Sequence, residues 1–200
     1  MITHAVGISL APNSSTESGV AVRELSTNKL IYMDKLFSIN DVELFFNNYN
    51  NLKNSAICVS LPWDNTMLEG KWRVLSKPYQ LIHEYGNFRN KDNWMDRFST
   101  RGFDLLLNLS KEGVDVCRYE VYLSRQKLNL YSNLKEHSSA DCKFLQSALK
   151  LDYGFEDLPQ NMVPAAQLEA IIGTLLAEKK LKSETEKIFD FKGLDVINVI

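Results

Sequence analysis

Few side chains in this chain have both the type and the placement to do chemistry. Glu169 falls among Ala165, Ala166 and Gly173, and small residues on one face of a helix let that helix approach a sheet closely and point a carboxylate at its edge. It reads either as such a site acid or as a solvated helix residue, since Glu is a favoured helix former. Glu120, two residues before Tyr122 in a β-prone run, reads either as a second site acid or as a sheet-edge charge paired with Arg118. Ser9 and Ser60 each sit in an apolar run, where a small hydroxyl bonded to the backbone is the plainest role. As nucleophiles they would need a base, and His4, His83 and His137 show no spacing that supplies one. Asp64 follows Pro62-Trp63, so it is either a turn residue or an acid that can swing toward Ser60.

Other chemistries are excluded more simply. Cys58, Cys117 and Cys142 form an odd set without C-x-x-C spacing, against both a disulfide framework and a zinc site, and they read as reduced packing residues. No GxxxxGK(S/T), GxGxxG, HExxH or GxSxG is present, which removes the commonest nucleotide, protease and hydrolase signatures. With 23 Lys plus Arg against 25 Asp plus Glu, net −2, the chain cannot coat nucleic acid by overall charge. Basic groups do cluster: residues 65–127 hold 11 Lys plus Arg against 8 Asp plus Glu. Lys71, Arg73, Lys77, Arg89, Lys91, Arg97 and Arg101, interleaved with Trp72, Tyr79, Tyr85, Phe88 and Trp94, form either a groove for a phosphate backbone with aromatic platforms or an ordinary solvated surface.

The elements that must position these residues follow from periodicity. His4–Ala11 is an apolar strand broken by Pro12-Asn13-Ser14-Ser15. Ser18–Leu25 and Lys29–Leu36 are β-rich runs around a Ser26-Thr27-Asn28 turn, which makes a three-strand meander. Ser38–Asn40 starts a helix carrying Val42, Leu44, Phe45, Phe46, Tyr49 and Leu52, with Asp41 and Glu43 in its first turn. Ala56–Leu61, closed by Pro62, is the apolar pattern of a strand covered on both faces. Residues 63–93 read as long loops, with or without one short strand. A helix over Trp94–Glu112 ends at Gly113, a strand follows over Val114–Leu123, and polar helices span Ser124–Leu134 and Ser139–Leu151. Leu168, Ile171, Ile172 and Leu175 then mark the core stripe of a last long helix, and Lys187–Ile200 reads as a hairpin around Lys192-Gly193. Two hundred residues of ordinary globular composition predict one domain, 1–200. No signal peptide or apolar span is visible, so the expected location is cytoplasmic and no membrane is involved.

This order predicts an α/β fold: a mixed sheet with a three-strand antiparallel meander and helices on both faces. That order resembles the element order of the ribonuclease H-like fold. Gly7-Ile8-Ser9-Leu10-Ala11 followed by Ser18-Gly19-Val20-Ala21-Val22 resembles the G-(I/V)-D-x-(A/G)…(S/T)-G-x-A-(V/L) opening of that superfamily. The chain also resembles the predicted ribonuclease H-like nucleases, a bacterial and archaeal family of unknown function. The family's I-D-x-P, basic-Gly, E-V-Y-P and D-A-L-x-x-A stretches resemble Val59-Ser60-Leu61-Pro62, Arg101-Gly102, Glu120-Val121-Tyr122-Leu123 and Glu169-Ala170-Ile171-Ile172-Gly173 here.

The resemblance implies a phosphodiester-cutting site in which one or two Mg²⁺ or Mn²⁺ ions are held by carboxylates from the first strand, the fourth strand and the last helix. Ser9 and Ser60 stand where the resemblance places aspartates, and neutral hydroxyls are poor ligands for hard cations. Glu120 and Glu169 are the residual acids. The first expectation is therefore a degenerate site in a non-catalytic binding or regulatory module that contacts nucleic acid or another protein. An active nuclease or phosphoesterase with a single Mg²⁺ or Mn²⁺ on Glu120, Glu169 and Asp64 is the alternative. A subunit of a protein complex that docks through the aromatic loops of residues 63–94 is the third.

Overall fold

The computed structural model describes residues 1–10, 17–60, 102, 104–135, 137–191 and 194–200. Seven strands form one mixed sheet: β1 (His4–Ser9), β2 (Ser18–Glu24), β3 (Lys29–Leu36), β4 (Ser55–Ser60), β5 (Asp115–Tyr119), β6 (Thr185–Phe191) and β7 (Leu194–Val199), in the spatial order β3-β2-β1-β4-β5-β7-β6. β2 runs antiparallel to both β1 and β3, β1, β4, β5 and β7 are parallel neighbours, and β6 is antiparallel to β7. The antiparallel trio β3-β2-β1 and the terminal hairpin therefore flank a parallel centre. The turns expected at Pro12–Ser15 and Lys192-Gly193 lie outside the described residues, as does the 63–93 segment.

Five helices are described: α1 (Ile39–Asn48), α2 (residues 104–111), α3 (Val121–Lys127), α4 (Ser139–Tyr153) and α5 (Ala165–Leu181). Ser38 caps α1 in a reciprocal box, accepting from the Asp41 amide at 3.1 Å while its own amide donates to the Asp41 carboxylate at 2.8 Å; such a cap stabilises a helix by about 1 kcal/mol. The buried face of α1 is Ile39, Val42 and Phe46, whereas Leu44 is exposed. α2 ends at Gly113, whose φ of +83° is the left-handed stop that Gly takes without steric cost. The 94–101 portion of the expected longer helix lies outside the described residues.

Alternation along β1 sorts two cores. Val6 and Ile8 join Val20, Val22, Ile57 and Val59 beneath α1 and α2. Ala5, Ala21, Ala56, Cys58 and Cys117 face the other way and meet α5. On that second face the sheet is paved with small residues, so α5 lies almost on the backbone. A Cβ on Gly7 would sit 1.8 Å from the Ala170 carbonyl oxygen, one on Gly19 would sit 2.0 Å from that of Ala166, and one on Gly173 would sit 2.8 Å from the Gly7 Cα.

Three expectations need correction. The helix α5 does not bury a single stripe: every residue from Gln167 to Ala177 is buried. The sheet covers one side, and Val121, Leu130, Leu145, Leu149, Phe155 and Leu158 cover the other. The strand expected to run through Leu123 stops at Tyr119. Glu120-Val121-Tyr122-Leu123 instead turns into α3, because the Glu120 carboxylate accepts the Leu123 amide at 2.9 Å and caps the helix; α3 then ends at Lys127 and not at Leu134, with Asn129 just beyond it in the left-handed region at φ +54°. A local cap and burial of Val121 and Ser124 outweigh the β-propensity of Val and Tyr. No described helix is long and apolar enough to cross a membrane.

Candidate functional site

Parallel strands β1 and β4 end together. Ser9 and Ser60 are directly registered partners, and the Leu10 amide donates to the Ser60 carbonyl at 2.8 Å. Registered partners in a parallel pair share a face, and this is the face on which Gly7 meets α5. The close seating of α5 brings Glu169, in its second turn, over the strand ends. Ser9 Oγ donates to Glu169 Oε2 at 2.7 Å, bridging residues 160 apart in sequence. Tyr119, the last residue of β5, donates its phenol to the Glu169 backbone carbonyl at 2.6 Å and so pins the helix at that residue. Burial raises the Tyr119 pKa well above its usual value, with the Glu169 charge adding to the effect, so it donates as a neutral phenol.

The second carboxylate oxygen of Glu169 meets a residue that spacing did not single out. His137 Nε2 lies 2.6 Å from Oε1. The imidazole rides on the segment between α3 and α4, and its backbone has φ +62°, a left-handed conformation costly for a side-chain-bearing residue. A buried ion pair beneath holds that segment in place. Arg125 of α3 and Asp141 of α4, both 3% exposed, pair through Nη2–Oδ1 at 2.6 Å and Nη1–Oδ2 at 3.1 Å. Arg125 Nε also donates to the Leu130 carbonyl, Ser132 Oγ donates to Asp141, and the His137 amide donates to Asp141 at 3.1 Å. The Asp141 carboxylate thus orients the backbone of the residue whose ring reaches Glu169.

Electrostatics follow this geometry. Burial pushes the Glu169 carboxyl upward, but the His137 ring, the Ser9 hydroxyl and the Arg125 charge together outweigh it and hold the group below the ordinary glutamate value. Asp141 shows the same balance: burial raises it, and Arg125, the His137 amide and Ser132 bring it below the usual aspartate value. Glu169 is therefore an ionised, nearly buried carboxylate with one partner on each oxygen.

Of the sequence candidates, Ser9 and Glu169 meet in a hydrogen bond, and Ser60 stands beside Ser9 in register at the end of β4. Glu120 stands at the end of the adjacent strand β5, with its carboxylate on the Leu123 amide of the α3 cap. Asp64 and the basic set Lys71, Arg73, Lys77, Arg89, Lys91, Arg97 and Arg101 lie outside the described residues. His137 and the Arg125–Asp141 pair carried no local signal beyond Ser138-x-x-Asp141, an N-cap pattern that places the start of α4 but not what the preceding side chain touches.

The donor set does not suit the hard cations that the resemblance implies. Among the described residues, one carboxylate, one imidazole and two hydroxyls fall short of the anionic oxygens that Mg²⁺ or Mn²⁺ requires, and no three His, Cys, Asp or Glu side chains converge there as a metal cage. Nor does the order Ser9–Glu169–His137 place an imidazole on the serine hydroxyl, as a Ser-His-acid relay would. No family model matches the chain, and no curated protein or solved structure shows significant similarity to it.

Proposed function

We propose that the chain is a ribonuclease H-like domain that no longer cuts phosphodiesters and serves as a non-catalytic module binding nucleic acid. The observation that carries this reading is the state of the Glu169 carboxylate. At a strand-end site where the resemblance calls for metal-binding aspartates, it is held by the Ser9 hydroxyl at 2.7 Å and the His137 ring at 2.6 Å. Three features support the fold assignment: the antiparallel trio β3-β2-β1, the parallel extension through β4 and β5, and the meeting of first strand, fourth strand and last helix at one point. The net positive balance of residues 65–127 supports a polyanionic partner.

Labelled single- and double-stranded DNA and RNA incubated with the protein and Mg²⁺ or Mn²⁺ should remain intact, while fluorescence anisotropy reports salt-sensitive binding. Metal-dependent cleavage that disappears in Glu169→Ala would reverse the assignment in favour of an active nuclease. Intact substrates with no anisotropy change at low salt would remove nucleic acid as the partner.

A further inference from the structure

Cys58 and Cys117 occupy the two central strands β4 and β5 as directly registered partners. Both side chains belong to the core under α5, at 0% and 1% exposure. Neighbouring strands lie about 4.8 Å apart, within the Cα separation of about 4.4–6.8 Å that a disulfide tolerates. The sulfurs are 2.7 Å apart as free thiols. The third cysteine, Cys142, lies on α4.

We propose that Cys58 and Cys117 are an oxidative modification site, which a peroxide closes into a disulfide joining β4 to β5. One thiol, as thiolate, attacks a peroxide oxygen, breaking the O–O bond and becoming a sulfenic acid while hydroxide leaves. The second sulfur then attacks the sulfenic sulfur, forms the S–S bond and expels water. In sum two thiols and one hydrogen peroxide give one disulfide and two waters; sulfur is oxidised and peroxide oxygen reduced.

The location gives the bond a consequence. Cys58 is two residues before Ser60, and Cys117 is two before Tyr119, the residue that pins Glu169. The Cys58 carbonyl also lies 3.1 Å from where a Gly173 Cβ would project. A crosslink here ties the floor of the strand-end cluster together. Burial, reinforced by Cys117, keeps the Cys58 thiol well above its usual pKa despite the nearby Lys180 ammonium, so closure is slow near neutrality and accelerates as pH rises.

The test is peroxide treatment of the folded full chain, followed by denaturation, thiol counting and peptide mapping by mass spectrometry. Two of the three thiols should vanish, the intact mass should fall by two hydrogens, and one linked peptide should join Cys58 to Cys117. Dithiothreitol should restore all three thiols. Cys142→Ala should behave as wild type, whereas Cys58→Ala and Cys117→Ala should gain oxygen adducts and form no internal link. The wild-type mapping stands alone if either of the latter variants fails to fold. Three surviving thiols, separate sulfinic acids, or a link through Cys142 would each overturn the proposal.

Discussion

The substitution Gly7→Ala puts the seating of α5 to a direct test. The added methyl would begin 1.8 Å from the Ala170 carbonyl oxygen and 2.7 Å from the Thr174 amide nitrogen, both backbone atoms that no rotamer change can move. Real Cβ contacts stay beyond 3.0 Å, so the helix must rise by more than an ångström. That shift stretches the 2.7 Å bond between Ser9 and Glu169 past hydrogen-bonding distance. Overpacking costs about 1–3 kcal/mol, and loss of a bond to a buried charge adds roughly 1.5–3 kcal/mol. A destabilisation of roughly 3 kcal/mol or more is expected, which lowers the melting temperature of a chain this size by roughly 6–12 °C. Urea and thermal unfolding measure it, with Gly113→Ala as the reference: an added Cβ there meets no atom of the described residues within 4 Å, so its left-handed backbone is what is penalised, by about 1–2 kcal/mol. If Gly7→Ala unfolds at the same urea concentration as wild type, or costs less than Gly113→Ala, the close seating of helix on sheet is wrong and the placement of Glu169 fails with it.

Ser9→Ala should cost about 1.5–3 kcal/mol, because a buried ionised acceptor loses a donor, whereas His137→Ala should cost no more than about 1 kcal/mol, because its ring is 57% exposed; urea midpoints rank the two, and the reverse order would contradict the cluster. Asp141→Ala leaves Arg125 buried without its counter-ion and should destabilise by about 3–5 kcal/mol, with the His137 ring signals in NMR moving as the segment above it loosens. Acid sensitivity follows from four depressed carboxyls: Glu169, Asp141, Asp41 of the α1 cap, and Glu178 of α5, which pairs with Arg23 and Lys182. Each holds its proton less tightly folded than unfolded, so their contribution is complete above the ordinary values of 4.5 for Glu and 3.8 for Asp. It drains away as pH falls through the lower folded values. Urea midpoints should decline with acidification in that range and decline less in Glu169→Gln; a flat profile would exclude the ionised cluster.

Where local chemistry decided structure, it could be read from the residues alone. β3 spans Lys29–Leu36 as its β-rich run predicts, α1 starts after Ser38 with Asp41 in its first turn as expected, and Gly113 ends α2 in the left-handed conformation. The small residues around Glu169 also point to the close approach seen at Gly7 and Gly19. Tertiary context decided the remainder. Val121-Tyr122-Leu123 is β-prone by composition, yet Glu120 caps a helix there once Val121 finds a buried site beneath α5. His137 is 32 residues from Glu169, and no periodicity links them. The contact exists because a buried Arg125–Asp141 pair folds the intervening segment back over α5, and such a pair has no signature until α3 and α4 are placed.

The serines also change the charge balance of the strand-end site. Carboxylates at the Ser9 and Ser60 positions would crowd like charges onto Glu169 in a site that is 7–8% exposed at Ser9 and Glu169, and such clusters are held together only by the cation or by a shared proton. Hydroxyls remove that repulsion and add a donor. The double variant Ser9→Asp/Ser60→Asp should therefore melt well below wild type in chelator and recover with Mn²⁺. Recovery by mass action amounts to about 2.7 kcal/mol when the ion is a hundredfold above its dissociation constant. Wild type, with its carboxylate satisfied by Ser9 and His137, should show no Mn²⁺-dependent shift. A double variant as stable as wild type in chelator would mean that these positions do not converge on Glu169, and a wild-type shift with Mn²⁺ would mean that the cluster is a metal site after all.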